Sequence, residues 1–104
     1  MTFNVKRNRL RKLIRSFADK ETQSLFESGR SRRFTAFARV AIRKLTQLDT
    51  VKTLQDLSVP PGNHLEALKG EREGQHSIRL NDQFRLCFRW EADGAHDVGI
   101  VDYH

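Results

Sequence analysis

The apolar positions of this chain follow two different periods, and the change from one to the other divides it. Between residues 34 and 48, Phe34, Phe37, Ala38, Ala41, Leu45 and Leu48 recur at intervals of three and four, the spacing that gathers side chains on one face of an α-helix. Arg32, Arg33, Arg39, Arg43 and Lys44 mostly point elsewhere and read as a solvated surface. From residue 77 to 90 the period is two: Ile78, Leu80, Phe84, Leu86, Phe88 and Trp90 are apolar, and the positions between them include Arg79, Arg85, Cys87 and Arg89. Such alternation predicts a β-hairpin with one buried face. The apolar residues keep even numbers on both sides of the turn, so the connection must hold an odd number of residues. Asn81, Asp82 and Gln83 fit a three-residue loop.

Weaker signals fill in the remainder. Residues 13–18 are fairly apolar and free of breakers, which predicts a strand. Asp19 then supplies an N-cap for a short helix over residues 20–28 that buries Leu25 and Phe26, with Gly29 placed to end it. A helical turn around residues 51–57 leads into Ser58, Val59, Pro60, Pro61, Gly62 and Asn63, a loop because two prolines and a glycine suit neither a helix nor a central strand. Residues 65–69 fit a short strand or a helical turn equally well. Asp93 and Gly94 mark a further turn, and residues 95–103, with Val98, Ile100 and Val101, form the last strand. Strand, two helices, then three or four mainly antiparallel strands is the order of an α+β fold, with two N-terminal helices packed on one face of a small antiparallel sheet. The other face would carry the arginines.

Length and charge narrow the picture. A chain of 104 residues builds one core, so residues 1–104 are expected to form a single domain. Nineteen lysines and arginines against 13 acids give a formal charge of +6, which suits a polyanionic partner, though a merely basic protein would show the same balance. The single cysteine, Cys87, excludes an internal disulfide and any CxxC metal site, and a reducing, cytoplasmic setting is the default. Lys6, Arg7, Arg9, Arg11, Lys12 and Arg15 precede any acid and superficially resemble an organellar presequence, but they read better as a basic arm. No stretch approaches the roughly 20 apolar residues of a membrane span, so no membrane partner is expected.

With Leu80 facing Phe84, Arg79 faces Arg85, their Cβ atoms about 5 Å apart, where like charges repel and a bound anion would relieve them. Arg89 lies about 13 Å along the same face. The three suit a polynucleotide backbone, although an exposed polar sheet face would carry the same residues. Lys69 and Arg72, beside Gly70 and Gly74, sit in a turn able to present cations and N–H groups to phosphate. The closing Asp102, Tyr103 and His104 gather an acid, a phenol and an imidazole. Cleaving RNA without a metal needs a base for the 2′-OH, cations beside the growing phosphate charge and an acid for the departing 5′-oxygen, and these residue types supply all three. His104, beside its own α-carboxylate, is expected to hold its proton more tightly and to act as the acid.

Three blocks carry a resemblance: Leu65-Glu66-Ala67-Leu68-Lys69-Gly70-Glu71-Arg72-Glu73-Gly74, then Ser77-Ile78-Arg79-Leu80-Asn81-Asp82-Gln83-Phe84-Arg85-Leu86, and the final Asp102-Tyr103-His104. From about Ile14 onward the chain resembles the HigB branch of the RelE superfamily of bacterial toxins. The resemblance implies a RelE/ParE-like fold and a ribosome-dependent ribonuclease that cuts mRNA by 2′-OH attack, leaving a 2′,3′-cyclic phosphate, with no cofactor and no metal. It implies a HigA-like helix-turn-helix antitoxin, with operator DNA bound only through the toxin–antitoxin complex. Lys69, Arg85, Asp102, Tyr103 and His104 match positions associated with activity, and Arg72, Arg79 and Arg89 would contact RNA. Where several relatives have a histidine this chain has Glu66, so that histidine's proton-transfer role does not carry over. Glu66 is then a candidate base, but a carboxylate of ordinary pKa near 4 is a weak base and repels phosphate. A ParE-like gyrase inhibitor and a non-catalytic RNA-binding module are the alternatives. The first has no need of proton-transfer groups, and the second would leave RNA intact.

Overall fold

The computed structural model describes residues 12–103. Lys6, Arg7, Arg9 and Arg11 of the basic arm and the terminal His104 lie outside them. Helix α1 spans Lys20–Ser28 and is closed at both ends by the predicted residues. The Asp19 carboxylate accepts from the Thr22 N–H, and Gly29, at φ 77°, donates its N–H to the Leu25 carbonyl. Both satisfy backbone groups that a helix end leaves unpaired. Helix α2 spans Ala38–Thr50 and starts later than the apolar period suggests, because Thr35–Phe37 form a separate 3-10 turn. Phe34 is fully buried even so, packed edge-on against Phe84, while Phe37 stacks on Phe84 at 4.8 Å. The aromatic period reports burial faithfully and the helix start less so.

The sheet has four antiparallel strands in sequence order, β1 (Glu66–Ala67), β2 (Gln75–Arg79), β3 (Phe84–Glu91) and β4 (Gly94–Asp102). The ambiguous segment over 65–69 is thus a strand, but only two residues long. The hairpin register follows from parity: Arg79 faces Arg85, the Leu80 N–H donates to the Phe84 carbonyl at 3.0 Å, and Asn81, Asp82 and Gln83 form the connection. The Asn81 side-chain oxygen accepts from both the Gln83 and Phe84 N–H groups, which fixes the turn. Ile78, Leu80, Leu86, Phe88, Val98 and Ile100 form one buried cluster with Leu25, Leu45 and Leu48 of the two helices. Both helices therefore pack on one face of the sheet, and alternation sends Arg79 and Arg85 to the other.

Residues 13–18 depart from the expected regular strand. They run parallel to β4 and touch it through two isolated bridges, Ile14 to Ala95 and Phe17 to Val98. The reason lies in β4, where Asp97 and Val98 together oppose the single Phe88. Asp97 takes a left-handed φ of 53°, and a bulge of this kind interrupts the ladder beside it. The expected 58–63 loop includes a 3-10 turn, Pro61–Asn63, whose Asn63 is fully buried. The Asn63 amide donates to the Leu57 carbonyl and accepts from Lys44, tying the loop to α2. Burial, together with the neighbouring Arg43 and Arg79, lowers the pKa of that lysine.

Candidate active site

Arg85 is the centre of the face opposite the helices. Only 12% of its side chain is exposed, so its charge is largely desolvated and must be met by close partners. Nε donates to the Ser77 hydroxyl at 2.6 Å, and Nη2 donates to the His64 carbonyl at 2.6 Å and to the Ser77 carbonyl at 3.4 Å. The Glu66 carboxylate lies 4.0 Å from Nε. The Tyr103 ring covers the guanidinium, with Cζ 5.8 Å from the ring centroid, within the range of a cation–π contact. Tyr103 itself remains 40% exposed. A cation, a phenol and a carboxylate thus share one open surface.

Two features of the fold bring them there. Glu66 faces Ser77, and Ser77 faces Cys87, so β1, β2 and β3 present one row across the sheet. The end of β4 is anchored on the hairpin turn through Gln83, whose carbonyl accepts from the Tyr103 N–H at 2.7 Å and whose amide donates to Asp102 at 3.0 Å. At the β3 end of the row, burial pushes the Cys87 thiol above its ordinary 9.0, with Arg72 and Arg85 pulling it down and Glu66 adding to the rise. Arg72 reaches β2 at Gln75, two residues along from Ser77. Its Nη1 donates to the Gln75 side chain at 3.3 Å.

The other candidates are placed differently. Arg79 faces Arg85 in register but is ion-paired with Asp82, so repulsion between the two arginines is met by a neighbouring acid. Arg89 is held by Glu91 and by Asp97, the latter at 2.9 Å from Nε. Both arginines lie on the predicted face, with their charges already matched. Lys69 is exposed at the head of the 3-10 turn Gly70–Arg72 and joins the Arg85 cluster through no hydrogen bond or ion pair among the described residues. Asp102 sits beside Tyr103, and His104 falls outside the described residues. Reading the sequence missed Ser77, Gln83 and the His64 carbonyl. His64 is left-handed, at φ 46° and ψ 57°, a conformation costing a non-glycine residue about 1–2 kcal/mol. A backbone acceptor leaves no mark in side-chain identity, and a serine on a strand looks like any polar position. Among the described residues no group of His, Cys, Asp and Glu could hold a metal ion, and no helix is long and apolar enough to cross a membrane.

A small antiparallel sheet with two helices on one face and a cationic, tyrosine-bearing surface on the other is the α+β architecture expected of a RelE-like toxin. Solved structures share the fold: the YoeB dimer from Staphylococcus aureus superposes with a TM-score of 0.53 at 18% identity, over 90% of this chain and 98% of that one. A chain of a YoeB–YefM complex from the same organism gives 0.51 at 16% identity, over 88% of this chain and 97% of that one. The chain belongs to the HigB family, described as RelE-like toxins of type II toxin–antitoxin systems, which matches residues 15–104. Toxin HigB-1 of Vibrio cholerae is 38% identical over 90 residues, which cover 85% of this chain and 94% of that toxin.

Proposed function

We propose that this toxin is a metal-independent endoribonuclease that cuts mRNA on the ribosome and so inhibits translation. The observation that carries the reading is the contact between Arg85 and Tyr103 with Glu66 alongside. In-line attack by a 2′-OH places extra negative charge on the phosphate, and a guanidinium already oriented by the protein stabilises that charge without reorganising. Arg85 supplies this cation, assisted by Arg72. Tyr103, half-exposed over the guanidinium, is placed to meet the sugar–phosphate or its base. Glu66 is the carboxylate positioned to take the 2′-OH proton, and His104, adjoining Tyr103 in sequence, is assigned the proton for the leaving 5′-oxygen. Asp102 orients the tail through Gln83. Lys69, Arg79 and Arg89 serve as outlying phosphate contacts.

The chain acts as a single toxin domain in the cytoplasm, where ribosomes and message are found, and a HigA-like helix-turn-helix antitoxin holds it inactive. Operator DNA is reached only through that complex. Purified toxin, either stripped with EDTA and freed of the chelator or left untreated, is to be added to translating ribosomes in magnesium buffer, and the message mapped by primer extension. The expected result is equal cleavage by stripped and untreated toxin, leaving cyclic phosphate ends. Intact message, or equal cutting by wild type and Arg85→Ala, would exclude the reading.

A further inference from the structure

Arg85 does not point at its direct cross-strand partner. That partner is Arg79, and the guanidinium instead leans along β2 to Ser77, two residues away. Leaning away from a like charge is expected. What receives it is unusual for a strand facing away from the core: a serine hydroxyl with no exposed surface, in register with Glu66 on one side and Cys87 on the other. Among the described hydrogen bonds, Arg85 Nε is the sole partner of that hydroxyl. The second arm of the clamp is the His64 carbonyl, aimed at Nη2 by a residue held in the left-handed region. His64 takes that conformation as the residue that ends the Pro61–Asn63 turn, so the turn itself sets the aim of the carbonyl.

We infer that Ser77 is a positioning residue for Arg85, its buried hydroxyl acting with the His64 carbonyl to set the plane and reach of the guanidinium before any phosphate arrives. The inference rests on the ribonuclease reading of the same site. Without the hydroxyl, Nε is left in a nearly closed space lacking its acceptor, and the guanidinium must swing towards water to recover one. A cation displaced by even one ångström loses transition-state stabilisation while still attracting RNA. The clamp therefore acts on the chemical step rather than on binding.

The test begins with the wild type, where NMR should detect an Arg85 Nε–H that exchanges slowly with solvent. In Ser77→Ala that exchange should quicken by about ten- to a hundredfold, the worth of a hydrogen bond to a charged group. Single-turnover cleavage on ribosomes should fall by up to about a hundredfold, with RNA affinity within about threefold of wild type, an allowance of about 0.6 kcal/mol at RT ≈ 0.59 kcal/mol. Ser77→Thr, which restores a hydroxyl, should recover slow exchange. In an Arg85→Ala background the Ser77→Ala change should cost no further activity, as two residues acting through one group do. Losses that add across the two positions, or a wild-type Nε–H exchanging at solvent rates in an active enzyme, overturn the clamp alone. A wild type that leaves message intact overturns the ribonuclease reading, and with it the catalytic purpose of the clamp.

Discussion

At the scale of single residues, the site is governed by how little of Arg85 reaches water. Its three donated bonds and the Tyr103 ring are specific to a planar guanidinium, so a lysine cannot substitute although it keeps the charge. Arg85→Ala is expected to lower single-turnover cleavage by about 10²–10³-fold, and Arg85→Lys to recover only a small part of that loss. Equal rates for wild type and Arg85→Lys would show that charge alone matters. Cys87 offers a second, independent measurement. Burial comes first among the causes that raise its pKa above 9.0, so in the folded protein the thiol stays protonated and inert at neutral pH. A thiol reagent at pH 7 to 8 should label the unfolded chain promptly and the native protein hardly at all. The linked stability is present below the ordinary 9.0 and is lost as pH rises through it towards the raised folded value. Rapid labelling of native protein at neutral pH would contradict this account.

Elements impose a different kind of constraint, best seen where the 13–18 segment crosses the start of β4. A Cβ added to Gly94 would lie 2.1 Å from the Leu13 carbonyl oxygen, and Gly94 also has a φ of 134°. The Leu13 carbonyl accepts from the Ala95 N–H at 2.7 Å, so the close approach is part of the pairing. Gly94→Ala is expected to cost at least about 1–3 kcal/mol, which lowers the melting temperature of a domain this size by several degrees. Gly62→Ala serves as the control, since nothing lies within 4 Å of the added carbon. Similar melting temperatures for the two variants would refute the crowding argument. Gln83 works between elements: it joins the hairpin turn to the end of β4 by one backbone and one side-chain bond. Gln83→Ala should leave the first in place and loosen Asp102, reducing cleavage about fivefold, the worth of a net hydrogen bond, and lowering the melting temperature by no more than a few degrees.

For the whole molecule the question is how a formal charge of +6 is distributed. The four arginines near the proposed RNA face are engaged by the protein in different ways: Arg79 by Asp82, Arg89 by Glu91 and Asp97, Arg72 by the Gln75 side chain, and Arg85 by neutral oxygens, with the Glu66 carboxylate only at 4.0 Å. A cation already matched by an adjacent carboxylate releases fewer counterions when RNA binds. Each unmatched phosphate contact to single-stranded RNA contributes about 0.7 to the slope of log affinity against log salt. Arg79→Gln and Arg89→Gln should each change that slope by clearly less than about 0.7, and Arg85→Gln by close to the full amount. Filter binding of a short RNA across a salt series measures this, and equal slopes for all three variants would show that the internal ion pairs open on binding.

Local periodicity determined a great deal by itself. The 3.6 and 2.0 periods fixed the helix and strand faces, and parity alone placed Arg79 opposite Arg85. The Asp19 and Gly29 caps are legible in the same way, because those signals depend only on backbone geometry within a few residues. The start of α2 and the break in the 13–18 strand were not legible, since a 3-10 turn and a bulge answer to neighbours far along the chain. The site divides in the same way. Family blocks named Glu66, Arg85, Asp102 and Tyr103, whereas the clamp of Ser77 and the His64 carbonyl exists only after β2 and the 58–64 loop are brought together. Sequence can specify which groups a chain owns and which face of an element they occupy. Only tertiary packing decides which arginine loses its water and which keeps a carboxylate, because burial and pairing depend on distances between segments that no local pattern encodes.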